Sequence, residues 1–288
     1  MKEKITFTKD TWARSLFLII NAILMVMIFV AVLLPIVKVL SDSFEGRYTY
    51  SFKLWPNQFS TDAYRRVFTR ADLYKPFMIS TYITVVGTMI SMALTTLAGY
   101  VLIQESLPGR KFLNWFIMIT MVFNAGLIPT YLTMRDLHLI DTLWAVILPI
   151  ATSTYNIILM RNFFETVPAS LAESADIDGC TPFQIFYKIM LPLSKPALAT
   201  VGLFTIVNYW NEYFSLIIYI NKVELYNFQI ILRKFVISGD NIPTSDVYVF
   251  PEALKNAIII ISMLPIMVIY PFLQKYFVQG VNLGAVKE

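Results

Sequence analysis

The sequence predicts an all-α, polytopic membrane protein with six transmembrane helices. Two observations predict this fold class. The chain of 288 residues is 57% hydrophobic and only 15% charged, and its apolar residues gather in long runs. A soluble chain carries about 25% charged residues, and a membrane-spanning helix needs about 20 apolar residues. Too little polar surface therefore remains to cover a soluble globule, and the runs are long enough to cross a bilayer.

The first half of the chain predicts two spans separated by a polar loop. The first span covers residues 15–40 and follows a polar, basic segment, 1–14. Because the run exceeds the apolar core of a signal peptide and no small-residue cleavage site follows, we expect a retained helix. The loop covers 41–75 and favours a short amphipathic helix over 61–68. The second span, 76–103, is rich in small and hydroxyl residues, Ser91 among them, which favours close packing against protein helices. A pore lining is the alternative interpretation of this span.

Four further spans follow, at about 112–133, 143–160, 197–220 and 254–274. The polar segment between the fourth and fifth spans is the longest polar interruption in the second half, and a second polar loop over 221–253 contains a turn-like SGDNIPTSD. Six spans place both termini on one side of the membrane. Lysine and arginine residues are shared nearly evenly between the two sides, so only short basic loops favour cytoplasmic termini.

Residue counts exclude several chemical classes. One cysteine, Cys180, cannot form an intrachain disulfide, and one histidine, His138, cannot build a multi-histidine metal site. No G-x-x-x-x-G-K-[ST] pattern is present, so the chain does not bind ATP through a P-loop. The net charge of +4 fits basic membrane loops and not a nucleic-acid partner. We therefore expect no catalytic residue, no metal and no cofactor on this chain.

The polar segment 171–192 reads LAESADIDGCTPFQIFYKIMLP. Its local signals predict two short helices joined at Gly179, which is free to take a positive φ. Thr166 is placed to cap the first helix, while Thr181 and Pro182 are placed to start the second. From the residues alone, a surface helical hairpin with ordinary caps accounts for this pattern.

The same segment resembles the EAA loop of the membrane subunits of ATP-binding-cassette importers. That pattern reads E-A-A-x3-G-x9-I-x-L-P, and only Ser174 departs from it. The resemblance implies a cytoplasmic coupling helix that docks into a cleft on an ATP-hydrolysing subunit, with acidic side chains meeting basic groups and Leu171 and Ala175 filling an apolar slot. The coupling residues expected from it are Leu171, Glu173, Ser174, Ala175, Asp176, Gly179, Ile189, Leu191 and Pro192.

Three other runs resemble the carbohydrate branch of this family, namely NAGLIPTY at 124–131, NYWNEY at 208–213 and the ending GAVKE. They are similar to the second membrane subunit of maltose-type transporters, within the branch that imports oligosaccharides from polysaccharide breakdown. The resemblance implies a permease core over 76–273. Residues 1–75 would form the cytoplasmic N-terminus, the first helix and an external loop, and 274–288 a cytoplasmic tail.

Polar residues at membrane depth are candidates for the solute path, because such side chains are costly in lipid and face protein or water. Sugars bind to aromatic faces and to amide or carboxylate groups, and both occur together in the NYWNEY run. Interhelical hydrogen bonding with aromatic packing is the alternative interpretation. The candidates are Asn124, Tyr155, Asn156, Asn208, Tyr209, Trp210, Asn211 and Glu212.

The resemblance also implies partners and a location. The partners are a related second permease subunit, two cytoplasmic ATP-binding subunits that hold ATP and Mg, an extracytoplasmic solute-binding protein, membrane lipid and a carbohydrate solute. The location is the bacterial inner membrane, with both termini cytoplasmic. The alternatives are a self-sufficient secondary transporter of small polar solutes and a membrane-embedded enzyme. Glu212 is the one carboxylate at possible membrane depth, which disfavours the transporter. One histidine and one cysteine disfavour the enzyme.

Overall fold

The computed structural model describes residues 12–47, 53–236 and 251–285. These ranges are helical and contain no strand, apart from one isolated antiparallel bridge between Glu45 and Phe59, which confirms the all-α prediction. The segment 1–11, the SGDNIPTSD turn and residues 286–288 of the predicted tail lie outside the described ranges. The chain divides into two compact units, Met1–Arg66 with Ile242–Ile260 and Val67–Asn241 with Ile261–Glu288. The division into segments 1–75, 76–273 and 274–288 stays a prediction.

The helices in the described ranges follow one another along the chain with short connections. They are α1 Trp12–Ser43, α2 Asp62–Thr69, α3 Ala71–Ile103, α4 Arg110–Val122, α5 Leu127–Asp136, α6 Trp144–Ile147, α7 Thr154–Phe164, α8 Ala169–Ile177, α9 Pro182–Ile185, a π-helical turn Phe186–Met190, α10 Leu191–Leu193, α11 Lys195–Asn211, α12 Phe214–Tyr219, a 3-10 turn Val223–Leu225, α13 Phe228–Val236 and α14 Pro251–Ala285.

In the first unit, an aromatic cluster holds the loop after α1. The ring of Phe44 lies 5.0 Å from that of Phe59 and 4.8 Å from that of Tyr64. The Tyr64 hydroxyl is 2.6 Å from the Ser43 hydroxyl, which ties the end of α1 to α2. Helix α2 occupies nearly the residues predicted for the short amphipathic helix.

In the second unit, α3 packs against α7 and α11. Close packing is possible because small residues lie at the contacts, as at Gly99, where an added Cβ would be 3.2 Å from the backbone nitrogen of Arg161. One buried cluster forms around Met160 and Phe164, and another forms around Ile83 and Tyr209. The prediction that the second span packs against protein is confirmed.

Three helices of the described ranges are long and apolar enough to cross a membrane: α1 from Arg14, α3, and α14 over Pro251–Phe272. Two bent pairs raise this number to five, the pair α4 and α5 with a bend of 113°, and Pro182–Leu193 with α11, bent by 83°. The six-span count stays a prediction.

The continuous spans expected at 112–133, 143–160 and 197–220 are wrong in detail, because each is interrupted. The first breaks after Val122, where Gly126 takes a φ of 84° and its N–H donates to the Asn124 side chain at 2.8 Å. The second breaks between α6 and α7, around Pro149, which cannot donate a helical hydrogen bond. The third breaks between α11 and α12. A side chain accepts from a freed backbone N–H near each break: Asn124 at the first, Ser153 at the second and Glu212 at the third.

Candidate functional site

The loop between α8 and α9 is built as the sequence predicts. Gly179 takes a φ of 81° just after the helix, where a residue with a Cβ would be strained. The N–H of Cys180 donates to the carbonyl of Ala175 at 2.9 Å, and that of Gly179 donates to the carbonyl of Asp176 at 3.0 Å. These two bonds form a Schellman motif, which satisfies the last carbonyls of α8 without help from a partner.

The start of α9 also follows the prediction, whereas the start of α8 does not. The Thr181 hydroxyl accepts from the N–H of Gln184 at 3.3 Å, and the Gln184 side chain accepts from the N–H of Thr181 at 2.8 Å, a complete capping box. The cap predicted at Thr166 is wrong. That hydroxyl donates to the carbonyl of Phe163 at 2.7 Å, and Pro168 occupies the cap position of α8.

The predicted coupling residues divide into an outer and an inner group. Glu173, Ser174 and Asp176 are exposed. Ala175 is only 7% exposed and packs into the cluster around Met160, so its predicted place in a partner's slot gains no support. The reason is that α8 must bury one face to stay attached to its own subunit. Ile189 and Leu191 pack against the same cluster, whereas Pro192 is exposed.

Exposed apolar residues that the EAA pattern does not include join the outer group. Ile177 is 88% exposed, Phe183 69% and Tyr187 65%. Leu171, in α8, is exposed as well. A signal was present in the sequence, since Phe183 and Tyr187 are four residues apart and share one helical face. We call the outward set the coupling surface; it comprises Leu171, Glu173, Asp176, Ile177, Phe183 and Tyr187.

Tyr100, near the end of α3, anchors this loop, a contact that no local pattern in the sequence predicts. Its hydroxyl donates to the carbonyl of Pro182 at 3.1 Å. Its ring centroid lies 5.0 Å from that of Phe186 and 6.3 Å from that of Phe164. These contacts join the loop between α8 and α9 to the end of α3.

A cavity of about 340 Å³ lies between α3, α7 and α11, and we call it the polar cavity. It brings together three of the predicted path residues, Tyr155, Asn156 and Asn208. Ser91 also lines it and belongs to the second span, for which a pore lining was the alternative prediction. The other lining residues, Ile150, Ser153, Phe204 and Thr205, were not predicted for the path. Hydroxyls and amides alternate with two aromatic rings, and no charged side chain lines the cavity.

The helices position these groups by local bonds. The Ser153 side chain caps α7 by accepting from the N–H of Asn156 at 3.4 Å. The amide of Asn156 is buried and lies 3.5 Å from the Thr205 hydroxyl. Tyr155 is 54% exposed and Asn208 is exposed as well, so both can meet a ligand.

The remaining path candidates do not line this cavity. Tyr209 and Trp210 are buried, and they donate to the carbonyls of Ile147 and Ser262, each at 2.9 Å. Both side chains therefore take part in packing between helices. Their buried positions give no support to the predicted role in the solute path. Asn211 donates to a carbonyl of its own helix. Glu212 accepts from the N–H of Ser215 at 2.8 Å, and Asn124 holds the break before α5.

A sequence model of the family described as "Binding-protein-dependent transport system inner membrane component" matches residues 106–283, more than half of the chain. The chain belongs to this family. The match confirms the predicted family, and it shows that this permease is a multi-pass membrane protein and a transport component rather than an enzyme.

Curated relatives of the permease come from Bacillus subtilis (strain 168). The polygalacturonan/rhamnogalacturonan transport system permease protein YtcP is 42% identical over 263 residues, which cover 88% of this chain and 92% of that protein. Protein LplC is 38% identical over 286 residues, which cover 96% of this chain and 97% of the relative.

A solved structure is similar over nearly its whole length. The crystal structure of a bacterial ABC transporter involved in the import of the acidic polysaccharide alginate contains a chain that is 32% identical to the permease. The two superpose with a TM-score of 0.88, covering 93% of the permease and 99% of that chain. The permease therefore shares its fold with a chain of a solved transporter.

Proposed function

We propose that the permease forms half of the translocation path of an ATP-binding-cassette importer for a carbohydrate, specifically an oligosaccharide released from a polysaccharide. The polar cavity carries this proposal. It lies among the three most closely packed helices of the second unit, and Ser91 is near the mid-length of α3. The names of the relative YtcP and of the alginate transporter point to the same class of solute.

The chemistry of the cavity suits a sugar. Side-chain hydroxyls and amides can donate to and accept from sugar hydroxyl groups, while the rings of Tyr155 and Phe204 offer apolar faces for the sugar C–H groups. A secondary transporter would need intramembrane charges for ion coupling. The cavity has none in its lining, so the secondary-transporter alternative is not favoured.

The coupling surface is the second part of the proposal. Its carboxylates at Glu173 and Asp176 would meet basic groups on an ATP-binding subunit, while Leu171, Ile177 and Phe183 would fill an apolar cleft there. ATP and Mg would bind to two such partner subunits and not to this chain. A related second permease subunit would complete the path, and a solute-binding protein would deliver the sugar. Both termini and the coupling surface would then face the cytoplasm.

Two measurements test this function. The tagged permease is purified from native membranes in mild detergent, and its companions are identified by mass spectrometry. An ATPase with a P-loop and a second permease are expected. The assembly is then placed in proteoliposomes with its binding protein, and ATP-dependent uptake of labelled oligogalacturonides is compared with uptake of monosaccharides. Recovery of the chain alone, with uptake that needs no ATP, would contradict the proposal.

A further inference from the structure

A second cavity, of about 640 Å³, lies where α3 ends and α4 begins. Its lining is basic at one end, with Arg110, Lys111 and Arg161, and apolar at the other, with Trp115 and Met118. None of these residues belongs to the polar cavity or to the coupling surface. The function proposed above therefore leaves this cavity unexplained.

The basic end has more positive than negative charge. Arg161 lies 2.7 Å from the Glu165 carboxylate, and Arg110 lies 3.8 Å from the same oxygen. Glu105 is 3.9 Å from Arg110, but its side chain is 94% exposed, so water weakens its effect. Lys111 is exposed, and it makes no ion pair with any residue in the described part of the chain. Two guanidinium groups thus share one close carboxylate beside an ammonium group.

The two guanidinium groups are held in place before any ligand arrives. Nε of Arg110 donates to the carbonyl of Leu102 at 2.9 Å, in the last turn of α3. Nε of Arg161 donates to Glu165 at 3.1 Å. Their side chains are only 28% and 23% exposed. A planar guanidinium group with remaining N–H donors suits phosphate oxygens particularly well.

Polarity falls along one face of α4. Lys111 is followed at helical spacing by Asn114, Trp115 and Met118. At 1.5 Å per residue, Lys111 and Met118 are separated by about 10 Å along the helix axis. None of the residues of α4 is buried, and Trp115 is 61% exposed. A charged end, an interfacial tryptophan and an apolar end follow the same order as the headgroup and acyl chains of a lipid.

We propose that this cavity binds the phosphate headgroup of an anionic phospholipid, with the acyl chains lying along α4 beside Trp115 and Met118. Basic pockets between spanning helices at the membrane surface recognise anionic headgroups by the same chemistry. A free phosphate ion would use the basic end alone. The exposed apolar end of the cavity favours the lipid, because a soluble anion would leave it in contact with water.

The test uses the permease with the membrane partners that purify with it, placed in nanodiscs of phosphatidylcholine with added phosphatidylglycerol. One of the two lipids carries brominated acyl chains, which quench tryptophan fluorescence. The contribution of Trp115 is the difference between the wild type and Trp115→Phe. We expect brominated phosphatidylglycerol to quench Trp115 well beyond brominated phosphatidylcholine at equal mole fraction, and soluble glycerol phosphate not to reverse the effect.

A charge variant and a matched control complete the design. Lys111→Gln should weaken phosphatidylglycerol retention, measured by native mass spectrometry, by about five-fold. Lys75→Gln removes an equally exposed lysine near the start of α3, outside the cavity, and should leave retention unchanged. Equal quenching by both lipids, or reversal by glycerol phosphate, would overturn the proposal. Quenching by neither lipid would also overturn it, since protein would then cover this face.

Discussion

Gly87 of α3 lies directly against the ring of Tyr209 of α11. A Cβ atom at Gly87 would be 2.5 Å from ring carbons Cε1 and Cζ, well inside any tolerated contact. The ring has no room to move, because Tyr209 is 1% exposed and its hydroxyl donates to the carbonyl of Ile147 at 2.9 Å. The distance between α3 and α11, which border the polar cavity, therefore depends on a residue without a side chain.

Gly87→Ala should destabilise the permease by about 1–3 kcal/mol, the typical cost of overpacking a core. The measurement is thermal denaturation in detergent. Gly202→Ala is the matched control, because its Cβ would meet only the flexible Met92 side chain, at 3.9 Å. That variant should be neutral or slightly stabilised, since alanine favours a helix over glycine. Equal melting temperatures for the two variants would contradict the packing described here.

Asn208→Leu keeps the branched shape of a side chain in the polar cavity but removes its hydrogen-bonding groups. A sugar hydroxyl left without a partner costs about 1–3 kcal/mol, so uptake should fall about ten-fold or more at low solute concentration. Asn211→Leu, three residues further along the same helix, is the control, because its amide bonds to the carbonyl of Val207 and lies outside the cavity. We expect uptake to fall in Asn208→Leu and to stay unchanged in Asn211→Leu. Similar uptake rates in the two variants would exclude Asn208 from the path.

Glu173→Lys should abolish ATP-dependent uptake while leaving the fold intact. Glu173 is exposed, so its replacement should change stability by less than about 0.5 kcal/mol, yet it reverses the charge at the centre of the coupling surface. Stimulation of ATP hydrolysis by the binding protein is the direct measurement. Glu224→Lys makes the same change at an exposed residue of the 3-10 turn and should leave stimulation intact. Normal stimulation in Glu173→Lys would refute the coupling role.

The loop between α5 and α6 is joined to the end of α12 through Asp141. Its carboxylate accepts from the backbone N–H groups of Asn221 and Lys222. The bond from the Asn221 N–H, supported by the other groups of these two residues, lowers the pKa of Asp141 below its ordinary value of 3.8. Because the pKa is lower in the folded state, the stabilisation is present above 3.8 and is lost as the pH falls through the lowered pKa.

The hydrogen-exchange protection factor of the Asn221 amide should therefore fall as the pH drops below 3.8. In Asp141→Asn, protection should be lower and independent of pH over this range. Asparagine is a fair replacement, since Asp141 has a φ of 64° and asparagine tolerates that conformation. Asp136→Asn, at the last residue of α5, should behave as the wild type. An unchanged pH profile in Asp141→Asn would show that another group holds the loop.

Composition and short-range patterns are enough to predict the class of protein and the local structure of the coupling loop. Composition decides the first, because apolar runs with so few charges are stable only in a membrane. Gly179 and Thr181 determine the structure of the coupling loop, because a positive φ and a capping box involve only residues within a few positions of each other. The family follows from the same loop, since its spacing is a local property.

Which polar residues line the polar cavity depends on the tertiary structure. Consecutive residues of a helix point in different directions, so a run such as NYWNEY contains candidates for every face. Asn208 lines the polar cavity, while Tyr209 bonds to Ile147 and Trp210 to Ser262, partners that lie 62 and 52 residues away in sequence. The same holds for Ala175 and Tyr100, whose contacts depend on how α3, α7 and α8 come together. These contacts result from packing between segments that are distant in the sequence, and no local sequence pattern predicts such packing.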